Sequence, residues 1–178
     1  MTDYGLLAKQ IVSLAEVDAH WLPVLSNAAA LLWDALDDIN WAGFYLVDPA
    51  TVVEPGLEPG LEPASQPGLE PGLPELRLGP FQGKVACVRI PFGRGVCGTA
   101  AATKTSQLVE DVHQFPGHIA CDSASNSEVV VPIFKGEQVV GVLDIDSPSV
   151  ARFTQEDLTG LEQVVKALES CANFSDFC

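Results

Sequence analysis

Two β-strand patterns separated by a tight turn constrain the fold of this chain more than any other feature. Residues 128–134 and 138–145 are rich in valine, isoleucine and leucine, and Lys135-Gly136-Glu137 lies between them. Apolar runs joined by so short a glycine-containing turn predict an antiparallel hairpin. We therefore expect a sheet with antiparallel strands rather than a parallel one.

Helical patterns lie on both sides of these strands. Residues 4–15 and 21–36 carry apolar side chains at helical spacing, the glycine-rich residues 93–103 predict a short helix, and a last helix is predicted to begin at Thr154. Four other runs predict further strands: residues 41–47, 76–78, 85–90 and 107–109. Because this order is not a regular βαβ alternation, it predicts an α+β fold, an antiparallel sheet with helices packed mainly on one face.

The segment from residue 51 to residue 75 differs from the rest of the chain in composition. The unit Pro-Gly-Leu-Glu recurs at residues 55–58, 59–62 and 67–70, and the segment contains no lysine or arginine. Proline interrupts helices and strand ladders alike, so we predict an inserted surface loop. The insertion would lie within a single domain that spans residues 1–178, and we expect it to be tolerated rather than to act as a binding arm.

Charge and composition exclude several classes of function. The net charge is −15 and 47% of the residues are hydrophobic, so the chain can bury a core but repels nucleic acid and anionic lipid surfaces. The first residues lack the basic start of a signal peptide, and no apolar run reaches the ~20 residues that span a bilayer. We predict a cytoplasmic protein that has no nucleic-acid or membrane partner.

Three cysteines are the strongest candidates for chemistry. Cys97 follows Arg94 at a predicted helix start, Cys121 lies near His118, and Cys87 lies in an apolar run without polar neighbours. A working thiol needs surroundings that lower its pKa. The local sequence therefore favours Cys97 or Cys121 as a nucleophile and Cys87 as a recycling partner.

Other interpretations of these thiols stay open. Free cysteine is often a buried and inert core residue, and the residues alone favour that interpretation about equally. The spacings contain no Cys-x2-Cys or His-x3-His pair, so we expect no zinc site, no other metal and no cofactor.

Three acidic residues form a second candidate group. Asp144 and Asp146 end an apolar strand at positions that point to the same face, and Glu128 begins the partner strand. The predicted hairpin would bring the three carboxyl groups to one end of the sheet. Acids this close repel one another unless one holds a proton or a cation is bound. They could bind an ammonium group and supply a proton donor, or form a solvated strand end.

Several long motifs span residues 38–45, 79–87, 90–100, 111–122, 125–128 and 141–147. They resemble the free methionine-R-sulfoxide reductases, which are single GAF domains. The resemblance covers nearly the whole chain apart from residues about 50 to 75, and the motifs include all three cysteines. The insertion and the cysteine-ended tail depart from the family pattern.

The resemblance implies a reaction for the cysteines. A thiolate attacks the sulfoxide sulfur of free L-methionine R-sulfoxide, methionine leaves, and the cysteine becomes a sulfenic acid. A second cysteine then forms a disulfide, which thioredoxin reduces. By position, Cys121 is the preferred nucleophile, Cys87 its resolving partner, and Cys97 the alternative nucleophile.

The resemblance also implies roles for the residues around the substrate. Glu128 and Asp146 match the acids that polarise the sulfoxide oxygen, and Asp144 would accept the substrate ammonium. Trp41 would pack on the substrate methyl group, and Tyr45 would line the same wall. An alternative function is a GAF sensor that binds a small ligand, or a thiol redox sensor without turnover. Similarity further suggests a homodimer.

Overall fold

The computed structural model describes residues 2–51, 74–117 and 122–175. Most of the inserted repeat therefore lies outside the described residues, and so does Cys121. The described helices are α1 (Tyr4–Ala15), α2 (Trp21–Ala35), α3 (Gly95–Thr103) and α4 (Gln155–Cys171). The described strands are β1 (Trp41–Val47), β2 (Glu75–Gly83), β3 (Arg89–Pro91), β4 (Gln107–Val109), β5 (Ser127–Lys135) and β6 (Gln138–Ser147).

The six described strands form one sheet in the order β3-β2-β1-β6-β5-β4. Every neighbouring pair in it is antiparallel. β5 and β6 form the predicted hairpin, in which Lys135 pairs with Gln138 and Gly136-Glu137 make the turn. This result confirms the α+β prediction from the sequence.

Helices α1, α2 and α4 cover one face of the sheet and form the larger core with it. The strands direct Phe44, Val131 and Ile145 into this core, and each of these side chains is at most 3% exposed. Helix α4 begins with a capping box, in which Thr154 and Asp157 exchange hydrogen bonds with each other's backbone. The expected start of the last helix is thereby confirmed.

Helix α3 lies on the opposite face, against β3, β5 and β6. It contributes Val96, Cys97 and Ala100 to a second, smaller core. Within the described ranges, no helix is both long and apolar enough to cross a membrane.

The predicted strand over residues 85–90 is mostly wrong. Only Arg89–Pro91 pairs with β2, while residues 84–88 form a loop in which Val85 is 87% and Val88 67% exposed. The loop starts after Gly83, which has a φ of +124° and ends the β2 ladder. The predicted apolar stripes also include Leu6, Leu14 and Leu22, which are 40–51% exposed in the structure.

Candidate active site

The site lies on the α3 side of the sheet, at the end where β1, β5 and β6 meet. Glu128 on β5 pairs with Asp146 on β6, and Asp146 also pairs with Trp41 on β1. Directly paired residues of antiparallel strands point to the same face, and so do residues two positions apart along one strand. The register therefore brings Glu128, Asp144, Asp146, Trp41 and Tyr45 onto one surface, as the sequence predicted for the acids.

Helix α3 adds a thiol to this surface. Cys97 is 4% exposed, and its Sγ atom lies 3.8 Å from Oε1 of Glu128. One ligand atom each from Cys97, Glu128 and Asp144 lies within 4.8 Å of the other two. Such spacing is compatible with a metal ion, so the expectation of no metal remains a prediction.

Burial sets the protonation of the acids. Burial first, and then the charge of Asp144, raises the pKa of Glu128 and that of Asp146 well above their ordinary values. Burial also raises the pKa of Asp144, to about 7, although hydrogen bonds from Cys97 and Glu128 act in the opposite direction. Asp144, with a pKa of about 7, is therefore the acid of this group that ionises near neutral pH, and the raised pKa values of the other two favour their protonated forms.

Cys97 is a protonated thiol in these surroundings. Burial, followed by the charges of Asp144 and Glu128, raises its pKa well above the ordinary value. The sequence indicated the opposite because Arg94 precedes Cys97 at the helix start. Arg94 is exposed to solvent, however, and the carboxyl groups are the charges that contact the thiol.

Asp144 presents an unsatisfied oxygen to the site. Its residue is 6% exposed, and Oδ1 is buried without a hydrogen-bond partner among the described residues. A buried carboxylate oxygen without a donor is costly. A ligand that brings a donor group, above all a positively charged one, would satisfy it.

Aromatic rings form one wall of the site. The Trp41 ring stacks against Tyr45 at 5.7 Å and against Phe81 at 5.3 Å between ring centroids. A Cβ atom on Gly43 would lie 2.3 Å from Cβ of Phe81 and 2.7 Å from Cη2 of Trp41, so only glycine fits there. Burial and the charge of Asp144 raise the pKa of Tyr45, which keeps its hydroxyl neutral.

The remaining two predicted site cysteines differ in what the structure shows of them. Cys87 is half-buried in the 84–88 loop, packs against the smaller core, and is disulfide-bonded. Cys97 and Cys171 are free thiols. Cys121 lies outside the described residues, so its assignment stays a prediction.

A polar network that the sequence does not indicate lies at the edge of the site. Asn40 donates a hydrogen bond from Nδ2 to Asp122 Oδ2 at 3.2 Å, and Lys84 Nζ lies 3.4 Å from the same oxygen. These residues are far apart in the chain, and neither their types nor their spacing indicates a contact. The three-dimensional fold brings them together.

Comparisons with known proteins identify relatives of this chain. The GAF domain family matches residues 20–171. The chain is 47% identical to the free methionine-R-sulfoxide reductase of Escherichia coli over 98% of its own length and 91% of that protein. It is 43% identical to the enzyme of the same name from Saccharomyces cerevisiae, covering 89% of this chain and 79% of that one.

The chain belongs to the free methionine-R-sulfoxide reductase family. A solved structure of this reductase from Neisseria meningitidis in complex with its substrate has 41% identity and a TM-score of 0.78, and covers 94% of this chain and 86% of that one. Free methionine-R-sulfoxide reductases are thus similar to this protein in sequence, and they share its GAF fold.

Proposed function

We propose that this protein reduces free L-methionine R-sulfoxide to L-methionine, with electrons supplied by thioredoxin. The observation that carries the proposal is a group of three acids beside a thiol on one face of the sheet, in which Glu128 and Asp144 are buried and Asp146 is half-buried. Two of these acids have pKa values raised well above the ordinary range of carboxyl groups, which is typical of sites that transfer protons.

The first step transfers oxygen from the substrate to the protein. The thiolate of Cys121 attacks the sulfoxide sulfur while Glu128 supplies a proton to the sulfoxide oxygen. This attack forms a sulfur–sulfur bond, and the protonated oxygen then passes to the Cys121 sulfur. The sulfur–oxygen bond of the substrate and the sulfur–sulfur bond break, so that methionine leaves and Cys121 is left as a sulfenic acid. Methionine sulfoxide gains two electrons, and the cysteine loses two.

Glu128 is suited to this acid role by its surroundings. A carboxyl group whose pKa is raised by burial is still protonated at neutral pH and can act as a general acid. Asp146 is its direct cross-strand neighbour, and burial raises the pKa of Asp146 as well. Together they can polarise the sulfoxide oxygen and replace the proton that Glu128 gives up.

Asp144 and the aromatic wall explain a preference for the free amino acid. The buried Oδ1 of Asp144 needs a donor, and the ammonium group of free methionine sulfoxide can provide one. A methionine inside a polypeptide has an amide in place of that ammonium. Trp41 would pack on the substrate methyl group, and Tyr45 would line the same wall.

The state of Cys97 supports Cys121 as the nucleophile. A buried thiol with a raised pKa is protonated and therefore a poor nucleophile. It can donate a hydrogen bond to Glu128 instead, since the two atoms lie 3.8 Å apart. In this role Cys97 adjusts the pKa of Glu128, and its side chain lines the site.

Cys87 completes the cycle. Its thiol attacks the sulfenic sulfur of Cys121, a disulfide forms and the oxygen leaves as water. The finding that Cys87 is disulfide-bonded supports a resolving role for it. The dithiol of thioredoxin then exchanges with this disulfide, so that both protein thiols are regenerated and thioredoxin is oxidised.

A coupled assay tests the proposal. The protein is incubated with thioredoxin, thioredoxin reductase and NADPH, and with either the R or the S epimer of free methionine sulfoxide. We expect NADPH consumption with the R epimer alone, and none with an N-acetylated R epimer that lacks the ammonium. No consumption with either free epimer would favour a ligand sensor or a redox sensor instead.

The cytoplasmic location and the homodimer remain predictions.

A further inference from the structure

We propose that Asp122, through its contacts with Lys84 and Asn40, is a positioning residue for disulfide formation by Cys87. Asp122 directly follows Cys121 in the sequence, and Lys84 begins the loop that carries Cys87. The contact therefore joins the two cysteine-bearing segments. The inference rests on the proposed function and adds to it a device for its second step.

The Lys84 side of the contact is fixed to the strands of the sheet. The Trp41 indole nitrogen donates a hydrogen bond to the backbone oxygen of Lys84 at 3.2 Å. The preceding Gly83 packs so closely that a Cβ atom there would lie 2.7 Å from the backbone oxygen of Asn40. The Cys87 loop therefore begins at a fixed point against β1.

The Asp122 side is equally well defined. Oδ1 accepts a hydrogen bond from the backbone of Ala124 at 3.0 Å, and Oδ2 accepts one from Nδ2 of Asn40 at 3.2 Å. The Asp122 side chain is 10% exposed. The Ala124 hydrogen bond first, then those from Asn40 and Lys84, hold the pKa of Asp122 below its ordinary value, so it is a stable anion.

This arrangement bears directly on the chemistry of resolution. Attack by the Cys87 sulfur forms a sulfur–sulfur bond, breaks the sulfur–oxygen bond of the sulfenic acid, and releases water after one proton transfer. The two Cα atoms must come within about 7 Å for the bond to form. Holding the two segments together reduces the entropy lost in that approach. It also limits the time in which a sulfenic acid can be oxidised further.

Lys84→Met tests the contact, with Lys104→Met as the matched control. Lys104 is an exposed lysine that contacts the backbone oxygen of Glu137, on the β5–β6 turn. Reduced protein is mixed with one equivalent of R-sulfoxide, and methionine, dimedone-trapped sulfenic acid and disulfide are followed in time. For Lys84→Met we expect methionine release at the wild-type rate and disulfide formation slowed by about threefold to fivefold, the size typical of a part-exposed ion pair.

Salt dependence separates positioning from a general structural effect. Salt at ~1 M screens an exposed ion pair, so the wild-type rate of disulfide formation should fall to that of Lys84→Met. The rate of Lys84→Met should barely change with salt. Asp122→Asn, which also disturbs the Asn40 contact, should slow disulfide formation by about tenfold.

Each outcome decides the matter. Unchanged disulfide formation in both variants would overturn the inference, and so would equal slowing of methionine release and disulfide formation in Lys84→Met. A disulfide that joins Cys121 to Cys97 rather than to Cys87 would overturn it as well. If wild-type protein releases no methionine, the proposed function itself is wrong, and this result is distinct from the others.

Discussion

The two faces of the sheet have opposite chemistry although they are made by the same strands. On the helix-covered face, Val129, Leu143 and Ile145 are each 0% exposed and pack against apolar side chains. Their chain neighbours Glu128 and Asp144 point to the other face and are also buried, at 6% exposed each. One face lowers the free energy of the fold through burial, whereas the other raises it by burying acids.

This difference shows where the protein tolerates a cost to stability. Alternation along β5 and β6 places the costly groups on one surface, where a ligand with a positive charge can satisfy them. The helix-covered face supplies the stability that makes this possible. A polar substitution on the helix-covered face should therefore lower the stability of the protein. Substitution of an acid on the other face should instead lower activity and leave stability nearly unchanged.

The largest effect is expected from a polar side chain on the helix-covered face. Ile145→Asn should lower the free energy of unfolding by about 3–5 kcal/mol, because it removes apolar packing and buries an amide without a partner. The neighbouring substitution Asp146→Asn should change it by no more than about 1 kcal/mol, since a half-buried acid becomes a neutral group of equal shape. Urea unfolding of both variants measures the contrast. Equal destabilisation by the two would contradict the difference between the faces.

Glu128→Gln should affect activity without affecting the fold. Loss of a general acid typically slows a reaction by a factor of about 100 or more, so methionine release in a single turnover should fall by that amount. The melting temperature should not decrease. Glu137→Gln, in the exposed β5–β6 turn, is the matched control and should resemble the wild type. Wild-type turnover in Glu128→Gln would show that Glu128 is not the general acid.

Asp144→Asn should weaken substrate binding. Without the carboxylate that meets the ammonium, KM should rise by about tenfold to a hundredfold, as expected for a charged hydrogen bond in a buried site. In the wild type, binding should strengthen as the pH rises through about 7, the pKa to which burial raises Asp144. A KM that is independent of pH and of this substitution would argue against an ammonium partner.

The same group makes a prediction for stability without ligand. The pKa of Asp144 is about 7 in the folded protein and 3.8 without burial, so between these values the folded state keeps a proton that the unfolded state loses. The contribution of Asp144 to stability should therefore fall as the pH rises from about 4 to about 7 and then level off, while Glu128 and Asp146, whose pKa values are also raised, add to the loss of stability with rising pH. Asp144→Asn should show a shallower fall, which urea unfolding at several pH values would measure. An equally steep fall in this variant would contradict the prediction.

The smallest effect is expected from removing the inserted repeat. Deletion of residues 55–71 should change turnover by less than about twofold, because long surface insertions usually affect a fold little. The two ends of the insertion are already joined, since the backbone nitrogen of Asp48 donates to the backbone oxygen of Glu75 at 2.8 Å. Comparison of steady-state rates with the full chain measures this. A large loss would place the insertion in the site.

Local patterns predicted the elements of the fold but not all of their surroundings. The hairpin, the α4 capping box and the convergence of Glu128, Asp144 and Asp146 follow from period-two alternation and short-range spacing. The alternation over residues 85–90 predicts a strand, although residues 85–88 belong to a loop, because alternation alone does not show where a ladder ends. The raised pKa of Cys97 could not be predicted, since it depends on acids that are distant in sequence. The contact of Lys84 with Asp122 is non-local in the same way.

A single turnover of the reduced protein tests the central claim most directly. Reduced wild type, Cys97→Ser and Cys121→Ser are each mixed with excess free methionine R-sulfoxide without thioredoxin, and methionine is counted per protein molecule. The account predicts one methionine from the wild type, methionine at a slower rate from Cys97→Ser, and none from Cys121→Ser. Methionine from Cys121→Ser together with none from Cys97→Ser would contradict it.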